Sequence, residues 1–119
     1  MPSSSSSSSS SDTSKAAAIA TVLYPADADF KLEYYLKSHM PMVMTKFKSH
    51  GMTGWKVTKL NGTASGGASP YSIQCELKFK KADGIPAALK EHGKEVMADI
   101  PNFSDKEPVI VLGDVVGKK

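Results

Sequence analysis

An amphipathic segment with a proline in its middle constrains the fold of this chain more than any other feature. Within residues 29–51, apolar side chains recur at steps of three and four: Leu32, Leu36, Met40, Val43 and Phe47. This spacing predicts one stripe of an α-helix. Pro41 has no N–H to bond the carbonyl of residue 37, so the helix must kink or restart there. Gly51 lies where the helix is expected to end.

His39 lies at this interruption, on the edge of the apolar stripe and one turn after Tyr35. Here a proline interrupts the helix that the apolar spacing predicts, and conflicts of this kind are enriched at functional sites. In a plainer interpretation, Pro41 only bends the helix and His39 is a half-exposed helix residue. The sequence alone leaves both interpretations open.

The rest of the chain predicts four strands and one more helix. Residues 17–24 and 54–61 predict the first two strands, and residues 71–80 predict a third in which apolar and polar side chains alternate. Residues 83–100 predict a second amphipathic helix. Residues 109–116 predict a last strand that is apolar on both faces.

The order strand, helix, strand, strand, helix, strand predicts an α+β fold, the ferredoxin-like plait (βαββαβ) with a four-stranded antiparallel sheet. In this plait both helices cover one face of the sheet and leave the other face bare. A bare face with apolar residues from the last strand has to be buried. A second copy is the economical cover, so we expect a homodimer in which two sheets pair into a dimeric α/β barrel.

Composition limits the partners of the chain. All 15 basic residues are Lys, and bidentate recognition of phosphates and bases relies on Arg, so we expect no nucleic-acid partner. No apolar run reaches the ~18 residues of a membrane span, so we expect no membrane partner. Residues 1–15 predict a disordered Ser-rich tail, and residues 16–117 predict one folded domain. A single cysteine fits a reducing compartment, and we expect a cytoplasmic protein.

Two stretches of the sequence carry a family resemblance. The opening stretch contains Val22-Leu23-Tyr24-Pro25, Phe30, Tyr34-Tyr35-Leu36 and His39-Met40-Pro41-Met42-Val43. The closing stretch contains Ile100-Pro101-Asn102-Phe103-Ser104-Asp105 and Glu107-Pro108. Both resemble the EthD-like family, whose members are small dimeric α/β-barrel proteins named after ethyl tert-butyl ether degradation.

The resemblance implies a small pocket in each subunit and no cofactor. The wider superfamily includes cofactor-free monooxygenases, cyclases or dehydratases of aromatic polyketides, and haem-degrading enzymes. The chain is therefore expected to be an oxidoreductase-type, monooxygenase-like enzyme that acts on a small apolar or aromatic compound. The alternatives are a dehydratase or cyclase of a polyketide-like substrate, or a small-molecule-binding or stress-related dimer without turnover. The chain departs from the family in lacking Arg, which argues against holding an anionic substrate with a guanidinium.

The candidate catalytic residues are His39 and Tyr35. An imidazole has an unperturbed pKa of about 6.5, so it serves as general base or acid near neutrality. Tyr35, four residues earlier on the helix, is within reach to orient it. The substrate-binding candidates are aromatic residues and a second histidine: Tyr24, Tyr34, Trp55, Tyr71, His92 and Phe103. A pocket lined by aromatic side chains suits a flat, apolar molecule.

Simpler interpretations stay open for several polar residues. His92 fits a core histidine bonded to a backbone carbonyl, and His50 fits a cation at the end of a helix. Cys75, on the apolar face of its strand, fits a buried core residue better than a nucleophile. We expect no metal site, because the combination of His39, Glu76 and His92 has no local ligand spacing.

Overall fold

The computed structural model describes residues 17–117 and has the element order that the sequence predicts. The strands are β1 (Ala18–Pro25), β2 (Met52–Lys59), β3 (Tyr71–Phe79) and β4 (Val109–Asp114). The first helix, α1, has three consecutive segments, which are α-helical Leu32–Tyr34, π-helical Tyr35–His39 and α-helical Met40–Lys48. The second helix, α2, is Gly84–Asp99 and continues into a 3₁₀ turn, Ile100–Asn102. The tail predicted for residues 1–15 lies outside the described residues.

The four strands form one antiparallel sheet in the order β2-β3-β1-β4. Strand β1 is central, so that Val22 lies opposite Cys75 of β3 on one side and Ile110 of β4 on the other. This order and connectivity are those of the ferredoxin-like plait. The predicted α+β fold is therefore confirmed. Among the helices of the described part of the chain, none has the combination of length and hydropathy that a membrane span needs.

The hydrophobic core lies between the two helices and one face of the sheet. Alternate residues of β1, and of β3 from Ile73 onwards, are buried on this face: Ala18, Ala20, Val22, Tyr24, Ile73, Cys75, Leu77 and Phe79. The period-two prediction for β3 is thus confirmed, and Cys75 is a buried core residue. The helices contribute Val43 and Phe47 from α1 and Ile85 and Val96 from α2.

The opposite face of the sheet has no covering layer among residues 17–117. On its β1–β4 side it carries apolar residues, with Leu23 opposite Val109 in the register. Val109 and Val111 are 44% and 47% exposed, although both are branched aliphatic residues of a strand. The β3 part of this face is polar, and Gln74 Nε2 donates a hydrogen bond to Glu76 Oε2 at 2.7 Å. An apolar strip of this kind is typical of a surface that another protein layer covers.

The predicted irregularity before Pro41 is a π-helical turn. The N–H of Met40 donates to the carbonyl of Tyr35, one residue further back than in an α-helix. Pro41 then falls in the first turn of the next α-helical segment, where a missing N–H is tolerated. As a result the rings of Tyr35 and His39 stack, with centroids 5.2 Å apart and planes 19° from parallel.

Two glycines bring the end of α1 close to the start of α2. Gly51 has a φ of 107°, a conformation that favours glycine, and it ends the turn after α1 as predicted. A Cβ atom on Gly84 would overlap the carbonyl oxygen of His50, so only glycine fits there without movement. His50 is thereby held beside α2.

Candidate active site

The centre of the candidate site is a pair formed by His39 in the π-helical turn and Asp99 at the end of α2. His39 Nδ1 lies 2.9 Å from Asp99 Oδ2. An ionised carboxylate only accepts hydrogen bonds, so Nδ1 carries the proton and donates it to Asp99. In the neutral imidazole this leaves Nε2 without a proton and able to act as a base.

Asp99 is held by two further donors. Tyr34 Oη donates to Asp99 Oδ1 at 3.1 Å, and Asn102 Nδ2 donates to the same oxygen at 3.0 Å. Partial burial by itself raises the pKa of the Asp99 carboxyl, but the hydrogen bonds from His39, Asn102 and Tyr34 outweigh it and the pKa is lowered. Asp99 is therefore a fixed anion near neutrality, and it sets the orientation of the imidazole.

The imidazole of His39 is enclosed by aromatic rings. Its exposed fraction is only 3%. It stacks on Tyr35, and its centroid lies 4.5 Å from that of Phe103. Burial lowers the pKa of His39 below its usual value, while the hydrogen bond and the negative charge of Asp99 act in the opposite direction without cancelling the effect. His39 is therefore neutral over most of the physiological pH range.

Phe103 belongs to the connector that follows α2 and is tied to the start of α1. The carbonyl of Phe103 accepts a hydrogen bond from the N–H of Lys31 at 2.7 Å. Phe103 also packs against Tyr24, with centroids 5.7 Å apart, and against Phe30 at 5.4 Å. This aromatic cluster fixes three chain segments around one histidine.

A narrow apolar cavity extends from His39 between the helices and the sheet. Its volume is about 30 Å³, and its walls are almost entirely carbon atoms. The residues around it that matter most for the site are Tyr24, Tyr35, His39, Cys75 and Met97. A space of this size holds about two water-sized molecules, so a larger ligand requires side chains to move.

The remaining titratable groups of the cavity are uncharged. Burial raises the pKa of the Cys75 thiol to about 11. Burial likewise raises the pKa values of the Tyr24 and Tyr35 hydroxyls above their usual range, and the neighbouring Cys75 contributes to both. His39 is thus the cavity residue that can exchange a proton near neutral pH.

The structure brings together only some of the residues predicted for the site. Tyr24 and Tyr35 line the cavity together with His39, Phe103 packs against the imidazole, and Tyr34 is linked to it through Asp99. The three other candidates do not line the cavity. Trp55 packs at the edge of the core, Tyr71 is half-buried at the start of β3, and His92 contacts the ring of His50. The combination of His39, Glu76 and His92 is not assembled either, because Glu76 lies on the uncovered face of the sheet.

Two residues of the site, Asp99 and Asn102, were not predicted from the sequence. A signal for Asp99 existed, because the helix dipole disfavours a negative charge in the last turn of a helix. Asp99 is the last residue of α2. An unfavourable charge at such a position indicates a compensating partner, here His39. Nothing in the local sequence marks Asn102 as part of the site.

The geometry resembles that of other histidines whose basicity is set by a carboxylate. A carboxylate on Nδ1 fixes the tautomer, orients the ring and stabilises the imidazolium that forms when Nε2 takes a proton. The aromatic walls exclude water from the imidazole. The arrangement is able to abstract a proton from a small molecule that reaches Nε2, and to return it later.

Comparison with known proteins relates the chain to a family. No protein-family model and no curated protein matches the sequence. Among solved structures, an EthD-like protein from Ralstonia eutropha JMP134 is 31% identical, with a TM-score of 0.77 over 88% of this chain and 96% of that one.

Two further solved structures share the fold at lower identity. An ethyl tert-butyl ether degradation (EthD) family protein from Bacillus halodurans C-125 is 20% identical, with a TM-score of 0.60 over 82% of this chain and 96% of that one. A dimeric ferredoxin-like protein of unknown function from Thermobifida fusca YX is 12% identical, with a TM-score of 0.53 over 85% and 92%. On the identity and coverage of the first of these three structures, the chain belongs to the EthD-like family.

Proposed function

We propose that the chain is an oxidoreductase-type enzyme that uses His39 as a general base on a small apolar or aromatic compound. The observation that carries this proposal is the buried His39, which lies on the wall of an apolar cavity and is paired with the half-buried Asp99. A neutral imidazole with Nδ1 protonated offers Nε2 as the proton acceptor. Tyr35 and Phe103 hold the ring in place, and Tyr34 holds Asp99.

The reaction that suits these residues is oxidation of an acidic C–H bond by dioxygen. Nε2 takes the proton from a CH₂ group activated by a neighbouring carbonyl or aromatic ring. The carbanion reduces dioxygen and bonds to it as a peroxide anion, and the imidazolium returns the proton to this anion to give a hydroperoxide. Loss of water from the hydroperoxide leaves a carbonyl group, so one O₂ is consumed and one water is released. The substrate supplies all the electrons, and no external reductant enters.

The size of the cavity bears on how a substrate enters. A space of about 30 Å³ is far smaller than an aromatic compound. Leu89 and Met97 are only partly covered and line the cavity from α2, so rotation of these flexible side chains widens it towards the surface. Dioxygen fits without any such movement. In this proposal the organic substrate opens the cavity and dioxygen reaches the carbanion inside it.

We further propose that the enzyme is a homodimer in which the uncovered sheet faces of two copies meet. The exposed Val109 and Val111 and the adjacent Leu23 support this arrangement, as does the description of the Thermobifida fusca structure as dimeric. In a Val111→Lys variant the charge would be buried between the sheets, so sedimentation should show monomers. A wild-type protein that sediments only as a monomer at micromolar concentration would remove this part of the proposal.

A single buried cysteine also suits the cytoplasm as the location.

Oxygen uptake by the purified full chain with anthrones, whose CH₂ group is activated by a ring carbonyl and two aromatic rings, tests the proposal. General acid–base catalysis contributes about 10²–10⁴-fold in rate, so His39→Gln should lower the uptake rate by at least ~100-fold. Lys37→Gln is the matched control, because Lys37 lies in the same π-helical turn on its solvent-exposed side. Equal rates for wild type and His39→Gln on every accepted substrate would rule out the role of His39.

A dehydratase or cyclase would use the same proton abstraction without oxygen. Product formation under nitrogen separates the two reactions, because the oxidation stops and the dehydration continues. Tight binding of these compounds without turnover, in air or under nitrogen, would favour the stress-related or ligand-binding dimer.

A further inference from the structure

A second group of polar side chains lies away from the cavity, where the end of α1 meets α2. It consists of His50, which follows α1, and of Glu91 and His92 in α2. One potential ligand atom from each residue lies within 4.8 Å of the other two. His50 Nε2 is 3.2 Å from Glu91 Oε1, and the two imidazole rings meet edge to face with centroids 5.4 Å apart. None of these residues lines the cavity.

Backbone contacts position His50, and a ring contact positions His92. The N–H of His50 donates to the carbonyl of Phe47 at 2.9 Å, and the carbonyl of His50 packs directly against Gly84 at the start of α2. The His92 ring packs on the ring of Phe47, with centroids 6.3 Å apart. Both imidazoles are half-buried, whereas Glu91 is exposed and free to adjust. Two half-buried ligands and one exposed, adjustable ligand are therefore available at one point.

We propose that His50, Glu91 and His92 bind a divalent transition-metal ion of the zinc type. Imidazole nitrogen and carboxylate oxygen are common zinc donors, with bonds of about 2.0–2.2 Å, which places tetrahedral ligand atoms roughly 3.4 Å apart. The 3.2 Å between His50 Nε2 and Glu91 Oε1 already matches this spacing. Small side-chain rotations bring the ligand atom of His92 into range, since it starts within 4.8 Å of both.

The group offers three protein ligands, so a tetrahedral ion would take its fourth ligand from water. Glu95, one turn after His92, is bound to Lys46 Nζ at 2.6 Å, which keeps its carboxylate on that cation. Three protein ligands with a fourth position for water are typical of zinc sites that are not closed structural sites. The donor set also suits Co²⁺, Ni²⁺ and Cu²⁺.

A bound ion would join the end of α1 to the middle of α2. Because the unfolded chain does not hold the three ligands together, metal binding stabilises the folded state by mass action. At a free metal concentration of ~100 Kd, this linkage predicts a rise in Tm on the order of 10 °C.

The experiment uses the full chain without a histidine tag and after treatment with a chelator. Titration with Zn²⁺ is followed by calorimetry, and titration with Co²⁺ is followed by visible absorption. We expect one ion per chain, a four-coordinate Co²⁺ spectrum and a higher Tm. The variants His50→Gln, His92→Gln and Glu91→Gln each remove one ligand. Changing a residue that only supports a ligand already lowers metal affinity by ~10–100-fold, so each of these variants should lose at least that much affinity. Glu33→Gln, an exposed glutamate of α1, is the matched control and should bind metal as the wild type does.

The wild-type protein provides a test that does not depend on any variant folding. Crystals soaked in Zn²⁺ should give an anomalous difference peak between His50, Glu91 and His92. A peak only at other residues would overturn the proposal, as would affinity for Zn²⁺ that is unchanged in His50→Gln and His92→Gln. The group would then be a histidine–glutamate contact without a bound metal.

Discussion

Replacing Asp99 with alanine tests whether this carboxylate holds the site together. In the folded chain it accepts hydrogen bonds from His39, Tyr34 and Asn102. Tyr34 and Asn102 reach solvent and bond to water in the variant, so losing their hydrogen bonds to Asp99 costs little stability. His39 does not, because its side chain is buried and the adjoining cavity is apolar. Whichever ring nitrogen carries the proton, the variant buries one N–H without an acceptor.

The magnitude follows from this single unpaired donor. Leaving a buried donor unsatisfied costs about 1–3 kcal/mol, and we take ~2 kcal/mol for a neutral imidazole. Removing a negative charge from the last turn of α2 returns about 0.5 kcal/mol through the helix dipole. The free energy of unfolding should therefore fall by about 1.5 kcal/mol, which corresponds to a Tm decrease of roughly 6–12 °C for a domain of this size. Asp99→Asn keeps an acceptor and should lie between Asp99→Ala and the wild type.

Urea denaturation near neutral pH measures this difference. The variants are compared at one protein concentration, since the stability of a dimer depends on it. Asp105→Ala, an exposed aspartate in the connector after α2, serves as the control and should change stability by less than ~0.5 kcal/mol. An Asp99→Ala variant as stable as the wild type, or more stable, would show that the His39–Asp99 bond does not stabilise the fold as argued.

Two further predictions concern pH and packing. Because burial lowers the pKa of His39 in the folded state, the unfolded chain binds this proton first, so stability is fully present above about pH 6.5 and is lost as the pH falls towards the folded-state pKa. The slope for one proton is at most ~1.4 kcal/mol per pH unit, and it should vanish in His39→Gln; an identical pH profile for both proteins would contradict the assignment. Gly84→Ala should destabilise the fold by about 1–3 kcal/mol in thermal melts, because the new Cβ overlaps the His50 carbonyl. Unchanged or raised stability, the usual result of Gly→Ala in a helix, would show that this contact relaxes freely.

The fold could be predicted from the sequence because the patterns of apolar residues that specify it are strong and local. The apolar alternation of β3 and the stripe of α1 each depend only on which side chains face the core, and the structure has both. The position of the helix irregularity followed from the missing N–H of Pro41. Its form, a π-helical turn rather than a simple kink, depends on how Tyr35 and His39 pack against Phe103, which no local pattern encodes.

The site could be predicted only in part, because most of its contacts are not local in sequence. His39 was identified because it coincides with a local conflict, whereas its partner Asp99 lies far away in sequence and meets it only through the packing of α2 on α1. Trp55 and Tyr71 are predicted at the pocket because aromatic side chains suit a flat, apolar ligand. In the sheet Trp55 lies opposite Leu77 and Tyr71 opposite Pro25, and neither residue lines the cavity beside His39. His50 and His92 likewise appear unrelated in the sequence, and the close contact at Gly84 brings them together.

The protonation of the His39 ring is the most direct test of this account. Long-range ¹H–¹⁵N spectra of the full chain near neutral pH distinguish a protonated ring nitrogen from a bare one. We predict that Nδ1 is protonated, that Nε2 is bare, and that Nε2 alone shifts strongly when an anthrone is added. A protonated Nε2 with a bare Nδ1, or a ring charged at neutral pH, would contradict the assignment of His39 as a base directed by Asp99.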